Sequence, residues 1–430
     1  MATSFVVSRS SPVLVGPSTT PAPVGQIKLS FFDKVFAFSP FTSFQVFDRA
    51  IYEPAETVRR ALSRSLVYYS PIAGRAAIGP DDGELRISCS GEGVLFVAAS
   101  ANCSLEDANL FDRPSVTVLE ELAVEYPVDG CRESDPLLLM QVTEFSCGGF
   151  VVGTTWNHAL ADGKGMAQFL QTVGELARGL PRPSVFPVSC GDHSLPELPP
   201  LITAIERTMG TLQPQGFVYQ DITVPSRAIR RIKEEFAGCS GEPCTVYEAV
   251  VAVLWQCRTR AIMSGDPEVP APLVFAANVR EHVGVEDGYY GNCITSAVVV
   301  PTSGEVANGN IDDVVKLIKR AKQGIPEQFK NVAAAGEDGG AVLQGVATED
   351  LDVMLGYNAF VVSSWRNLGF DAADFGGGSP ARVMCRLELT GVPNCVACLP
   401  CNRKDGANVL ALCVREEHVD AFSEELAKFM

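Results

Sequence analysis

Trp156-Asn157-His158-Ala159-Leu160-Ala161-Asp162-Gly163-Lys164-Gly165, residues 156–165, is the stretch on which the reading of this chain turns. It closes an apolar run, Val151 to Trp156, and opens onto Met166, Phe169, Leu170, Val173 and Leu176, which repeat at helical period. The spacing predicts a strand over 150–155 and an amphipathic helix over 163–178. His158 thus ends a strand and begins the turn into a helix, a position at the rim of a sheet where clefts form. By itself that placement suits a hydrogen-bonded structural histidine as well as a general base. Asp162 suits a helix N-cap, and Gly163 and Gly165 suit tight backbone geometry.

Outward from this stretch, apolar runs predict strands at 94–98 and 137–142. Val58, Ala61, Leu62 and Leu66 predict a helix from about Thr57, and residues 8–24, rich in Ser, Pro and Thr, read as an extended leading segment. On the other side, Pro181, Pro183, Pro187, Pro196, Pro199 and Pro200 are too dense for a helix or sheet interior. They predict a Pro-rich crossover loop over 181–215, dividing a first domain of residues 1–180 from a second of 216–430. In that second half Ser226 is predicted to cap a short helix carrying Ile229 and Ile232. Thr245-Val246-Tyr247-Glu248 is a capping-box pattern opening a helix through Ala261. Strands are predicted near 273–278, 294–300, 359–364, 382–389 and 409–414, helices near 311–323 and 418–429, and a Gly-rich mobile loop over 332–349. The mixture argues for α/β or α+β layers in both halves.

Composition narrows the function classes. The chain has 430 residues, long enough for two cores of about 200 residues each. Its 34 basic and 51 acidic residues give a formal charge of -17, and its one basic cluster is Arg227, Arg230, Arg231 and Lys233. Nucleic acid is therefore an unsuitable partner. No apolar run approaches the roughly 20 residues of a membrane span, and Met1 to Pro23 carries no signal-peptide pattern. The expectation is a protein that does not enter a membrane. Fourteen cysteines without framework spacing suit free thiols in a reducing cytoplasm.

Candidate chemistry is sparse. His193, in the Pro-rich crossing, and His282 and His418, among charged residues, read as solvated surface groups, which leaves His158. No GxSxG elbow, phosphate loop or dinucleotide turn is present. Cys395, Cys398 and Cys401 lack a fourth ligand for structural zinc and read as buried thiols, so no metal is expected. Cys147 has no evident partner base.

His158-Ala159-Leu160-Ala161-Asp162-Gly163 resembles the HxxxDG motif of the plant BAHD acyltransferases, which move acyl groups from coenzyme A thioesters to alcohols or amines. Further landmarks follow in order along nearly the whole chain. Leu29-Ser30-Phe31-Phe32-Asp33 resembles the family's LSxxD, and Tyr69-Ser70-Pro71-Ile72-Ala73-Gly74-Arg75 its YxPxAGR. Gln141-Val142-Thr143 with Cys147-Gly148-Gly149 is similar to the strand leading to the histidine. Asn278-Val279-Arg280 and Tyr289-Tyr290-Gly291-Asn292 resemble the arginine and YFGN segments. Ser363-Ser364-Trp365 resembles (T/S)SW, and Asp374-Phe375-Gly376-Gly377-Gly378 resembles DFGWG with Gly377 in place of the tryptophan.

The resemblance implies two similar domains of chloramphenicol-acetyltransferase type with the active-site channel between them. It implies His158 as general base, needing no tuning to titrate near neutrality, and Trp365, with Ser363, as oxyanion donors. It implies that Asp162 is structural and paired with Arg280, and that Asp374, Gly376 and Gly378 form a structural loop remote from the reacting atoms. Lys233, Arg231 and Arg382 are the candidates for CoA's phosphates. Acyl-CoA is a co-substrate and no cofactor is required. The expected donor carries an aromatic acyl group, benzoyl or hydroxycinnamoyl, and the acceptor is a small amine (an arylalkylamine or polyamine) or an alcohol, with the amine preferred. The protein is expected to act as a monomer. An inactive relative that binds without turnover is the alternative.

Overall fold

The computed structural model describes residues 5–430 except 20–24, 128–130, 190–194, 264, 333–350, 388–390 and 403. In the first half the strands are β1 (Val7–Arg9), β2 (Val13–Val15), β3 (Gln26–Lys28), β4 (Pro40–Phe47), β5 (Arg75–Ile78), β6 (Leu85–Ser88), β7 (Val94–Ala101), β8 (Leu138–Glu144) and β9 (Phe150–Asn157). The second half supplies β10 (Phe217–Val224), β11 (Leu273–Asn278), β12 (Ile294–Val299), β13 (Phe360–Ser364), β14 (Arg382–Cys385), β15 (Asn394–Cys398) and β16 (Ala407–Arg415).

They form a seven-stranded sheet in the order β1-β7-β8-β9-β4-β14 with β2 also on β7, a six-stranded sheet in the order β10-β16-β15-β13-β11-β12, and a small sheet β3-β6-β5. Both large sheets mix parallel and antiparallel pairs: β7 runs parallel to β8, and β13 parallel to both β11 and β15. All eight residues of β9 are buried, because helices Pro54–Ser65 and Gly163–Ala177 cover one face and the rest of the chain covers the other. Helices Ser226–Ser240, Val246–Ile262, Ile311–Gln323 and Val419–Ala427 cover one face of the six-stranded sheet, making a second core around Val250, Trp255, Phe275 and Val409.

The expected strands and helices are present with small shifts at their ends, and Thr245 and Glu248 cap each other as their spacing requires. Four features differ from the sequence reading. The crossover carries a helix, Pro200–Thr211, opened by Pro199 and Pro200: proline breaks a helix interior but is pre-shaped for its first turn. Ser226 is the first residue of helix Ser226–Ser240 rather than its cap; Pro225 takes the cap position and the Ser226 hydroxyl bonds Asp405 instead. His418 is half-buried, its Nδ1 lying 3.0 Å from the Tyr357 hydroxyl, rather than freely solvated. Finally, β14 pairs with β4 in the first sheet although it lies beyond residue 380. A cut at 181–215 therefore does not separate the strands of the two sheets. Residues 333–349 of the expected mobile loop, and His193, lie outside the described residues.

Candidate active site

The His158 turn is held from every side. Its backbone N–H donates to Ser39 O at 2.9 Å, and the Asn157 amide oxygen accepts from Ala159 N at 3.0 Å and from Phe38 N at 3.2 Å. The Trp156 indole donates to Ala161 O at 2.9 Å, closing the turn over the end of β9. Asp162 caps the following helix by accepting from Gly165 N at 2.9 Å.

Asp162 does more than cap. Its carboxylate takes a two-pronged ion pair from Arg280, Nη1 to Oδ2 at 2.7 Å and Nη2 to Oδ1 at 2.9 Å, and also accepts from Cys293 N at 3.1 Å. Arg280 donates besides to the Gly291 carbonyl at 2.7 Å, so one guanidinium joins the histidine turn to the 289–293 segment. Asp162 is buried and Arg280 nearly so, and such a pair holds geometry strongly because removing either partner strands a charge. Gly165 allows the close approach: a Cβ there would sit 1.7 Å from Tyr290 O.

Two residues whose motifs were visible in the sequence, but to which it assigned no role, complete the turn. Asn292 donates from Nδ2 to the His158 carbonyl at 2.7 Å and to Asp33 Oδ1 at 2.9 Å. Asp33 in turn forms a capping box with Ser30. The S-x-x-D spacing of 30–33 signals the cap; nothing local signals the contact with Asn292, 259 residues away.

The imidazole of His158 lies between Phe36 and Phe41, with ring centroids 4.6 and 4.5 Å away. The residue is 5% exposed. Burial among these rings lowers its pKa from 6.5 to about 4, against an opposing pull from the Asp162 carboxylate. The expectation of an untuned, near-neutral histidine is thereby corrected: the ring is a free base at neutral pH because the apolar wall penalises its charged form. Nδ1 of His158 and Oδ1 of Asn292 are both buried and unpartnered beside each other's backbone contact.

Trp365 follows β13 directly. Its ring stacks on Phe370 at 4.8 Å and lies 6.4 Å from Trp156, itself 6.5 Å from the His158 ring. The Trp365 indole N–H has no hydrogen-bond acceptor among the described residues, and Ser363 is half-buried two residues before it on the same side of the strand. The 374–378 loop sits elsewhere. Asp374 Oδ1 accepts from Gly376 N and Gly378 N, each at 2.8 Å, and Asp374 packs on Gly174 and Arg178. That is roughly 17 Å along the helix from its start at Gly163. Gly377 lies against Arg49 O and the Ile51 side chain, where a Cβ would come within 3.2 Å of each.

The phosphate candidates do not gather. Arg382 is buried, and both its terminal nitrogens are taken, by Asp221 Oδ2 at 2.6 Å, Asn408 Oδ1 at 3.1 Å and the carbonyls of Leu110 and Asp112, which leaves only a buried Nε unpaired and no donor facing solvent for a phosphate. Arg231 is exposed and donates to Phe429 O at 3.3 Å, while Lys233 is half-buried on the same helix. That helix covers the face of the six-stranded sheet opposite Ser363. No cluster of ligand residues able to hold a metal is found among the described residues, and among them no helix is long and apolar enough to cross a membrane.

The sequence profile of the Transferase family matches residues 7–429. The chain belongs to this family, the BAHD acyltransferases. It is 43% identical over 445 residues to acyl transferase 15 of Oryza sativa subsp. japonica, with 99% of each chain covered. It is 34% identical over 451 residues to myricetin 3-O-glucosyl 1,2-rhamnoside 6'-O-caffeoyltransferase AT1 of Crocosmia x crocosmiiflora, covering 99% of this chain and all of the relative. Against 3'-N-debenzoyl-2'-deoxytaxol N-benzoyltransferase of Taxus canadensis the identity is 31%, covering 98% and 95%. Vinorine synthase superposes with a TM-score of 0.71 at 18% identity, covering 99% of this chain and 98% of the other. A complex of F. graminearum TRI101 with coenzyme A and T-2 mycotoxin gives 0.70 at 16%, covering 94% and 98%. The BAHD chain is thus an acyl-CoA-dependent acyltransferase with the two-domain mixed α/β fold of chloramphenicol acetyltransferase type.

Proposed function

We propose that this BAHD enzyme transfers an aromatic acyl group, benzoyl or hydroxycinnamoyl, from coenzyme A to a small amine, with His158 as general base. The observation that carries the reading is the neutral imidazole clamped between Phe36 and Phe41, its turn locked by Asp162–Arg280 and its carbonyl by Asn292. Nδ1 is buried and out of reach of substrate, so a proton held there leaves Nε2 as the basic atom. The acceptor's N–H proton passes to Nε2 while its nitrogen bonds the thioester carbonyl carbon. The carbonyl oxygen takes the negative charge and is met by the Trp365 indole N–H and the Ser363 hydroxyl. Collapse breaks the C–S bond, and the departing CoA thiolate recovers the proton from the imidazolium. Asp162 acts through the turn and not on substrate. Caffeoyl and benzoyl transfer in the names of two relatives support an aromatic donor, and the N-benzoyltransferase supports an amine acceptor. The caffeoyltransferase, which acts on an oxygen, favours an alcohol as the second reading. Every described cysteine is a free thiol, which supports work in a reducing cytoplasm.

The test is a thiol-release assay crossing benzoyl, hydroxycinnamoyl, acetyl and malonyl thioesters with amines and alcohols. His158→Ala is expected to lower kcat by about 10²–10⁴ with acyl-CoA affinity retained. Full turnover by a folded His158→Ala protein would sink the assignment, and release without any acceptor would point to a hydrolase.

A further inference from the structure

The strand registers place one row of side chains across the six-stranded sheet on the face away from the second core. Ser296 of β12 pairs with Ala276 of β11, and the next parallel step sets Ala276 beside Ser363 of β13. Ser363 pairs with Val396, Val396 with Leu410, and Leu410 with Asp221. Side chains of one row share one face. The adjacent row toward the crossover helix is Val298, Val274 and Val361, with Val274 buried and the two flanking valines half-buried against helix Pro200–Thr211 and Leu351–Met354. The Ser296–Ala276–Ser363 row opens outward from its end: Ser296 is buried, Ser363 half-buried and Ala276 exposed. Ala276 is exposed although it sits on a strand paired on both sides, so the sheet here is the floor of an open cleft. Ser363, the proposed oxyanion donor, lies at one end of that floor, and Asn292, which holds His158, precedes β12.

At the other end stands Glu206, on the crossover helix. Its carboxyl receives the Ser296 hydroxyl at 2.5 Å and has no cationic partner among the described residues. Ser363 and Ser296 are two strands apart, roughly 10 Å. We propose that Glu206 binds a second, cationic nitrogen of the acceptor, which makes the acceptor class a diamine or polyamine rather than a simple amine or an alcohol. This deepens the reading above and rests on it. Burial raises the carboxyl's pKa while the Ser296 bond opposes it, so an arriving ammonium completes its ionisation.

The experiment compares α,ω-diaminoalkanes, from butane to octane, with n-alkylamines and n-alkanols of equal length in the thiol-release assay. The wild-type enzyme is expected to prefer the diamine in kcat/KM by about tenfold or more, the usual loss when a charged hydrogen bond goes unmade. The preference should peak at an intermediate length, and Glu206→Gln, which keeps shape and hydrogen bonding, should abolish it through KM. Ser296→Ala, which keeps the carboxylate, should retain most of it. Equal use of monoamine and diamine by the wild type, an alcohol preferred over every amine, or an undiminished preference in Glu206→Gln overturns the proposal. Failure of the His158 assignment looks different: His158→Ala would then keep turnover on all acceptors alike.

Discussion

At the residue scale the decisive quantity is the protonation of one imidazole. His158 was recognisable from its neighbours in the chain, because a strand end and a capped helix fall within ten residues. Its electrostatic state was not, because Phe36 and Phe41 come from a different strand and the segment before it. The desolvated ring sets a pH dependence. Above its folded pKa the base is free, and protonation abolishes it, so activity is lost as pH falls through that value. With the pKa held down to about 4 instead of 6.5, kcat/KM expressed on the unprotonated fraction of the acceptor amine should stay level as the pH drops past 6.5 and decline only on approach to 4. A pH–rate profile over that range, taken where the protein stays folded, checks it. A half-maximal point near 6.5 would show that substrate-free His158 is solvated.

The elements carry their own constraint. Helix Gly163–Ala177 approaches the 290 segment and the 374 loop through Gly165 and Gly174, where a Cβ would lie 1.7 Å from Tyr290 O and 2.5 Å from Asp374 O. The apolar period of this helix was plain in the sequence; Gly165 read only as tight backbone geometry and nothing marked Gly174, because closeness to another backbone leaves no local pattern. Gly165→Ala should therefore cost soluble, folded protein outright. Gly238→Ala, in a helix where nothing lies within 4 Å, should gain about 0.5–1 kcal/mol by removing unfolded-chain freedom. Thermal melting of the two variants side by side separates helix propensity from packing. The same contact with Gly174 keeps the 374–378 loop on the far end of the helix, which explains how Gly377 can replace a tryptophan without touching the His158 turn.

For the whole molecule, the bond between the sheets matters most. Arg382, on β14 at the edge of the first sheet, pairs with Asp221 on β10 at the edge of the second, both side chains 2% exposed. Arg382→Ala should destabilise by about 3–5 kcal/mol, because it leaves the Asp221 carboxylate buried and unpaired. Replacing both residues together, Arg382→Met with Asp221→Leu, should recover most of that loss. Urea unfolding of the single and double variants decides it. If the two changes instead prove additive, the arginine contributes only through its carbonyl contacts at 110 and 112.

What the sequence determined alone is what hydrogen bonds and side chains a few residues apart can settle. The strand-turn-helix around His158, the Thr245–Glu248 box, the buried-face periods and the family motifs are all of that kind. Tertiary structure decided which distant groups meet: Asn292 on the His158 carbonyl 134 residues away, and Arg382 on Asp221 at a separation of 161 rather than on a phosphate. It also decided that Glu206 meets the buried Ser296 at the end of a sheet row whose Ala276 is exposed. Such pairings follow from strand order and register, and burial then sets how strongly the charges act.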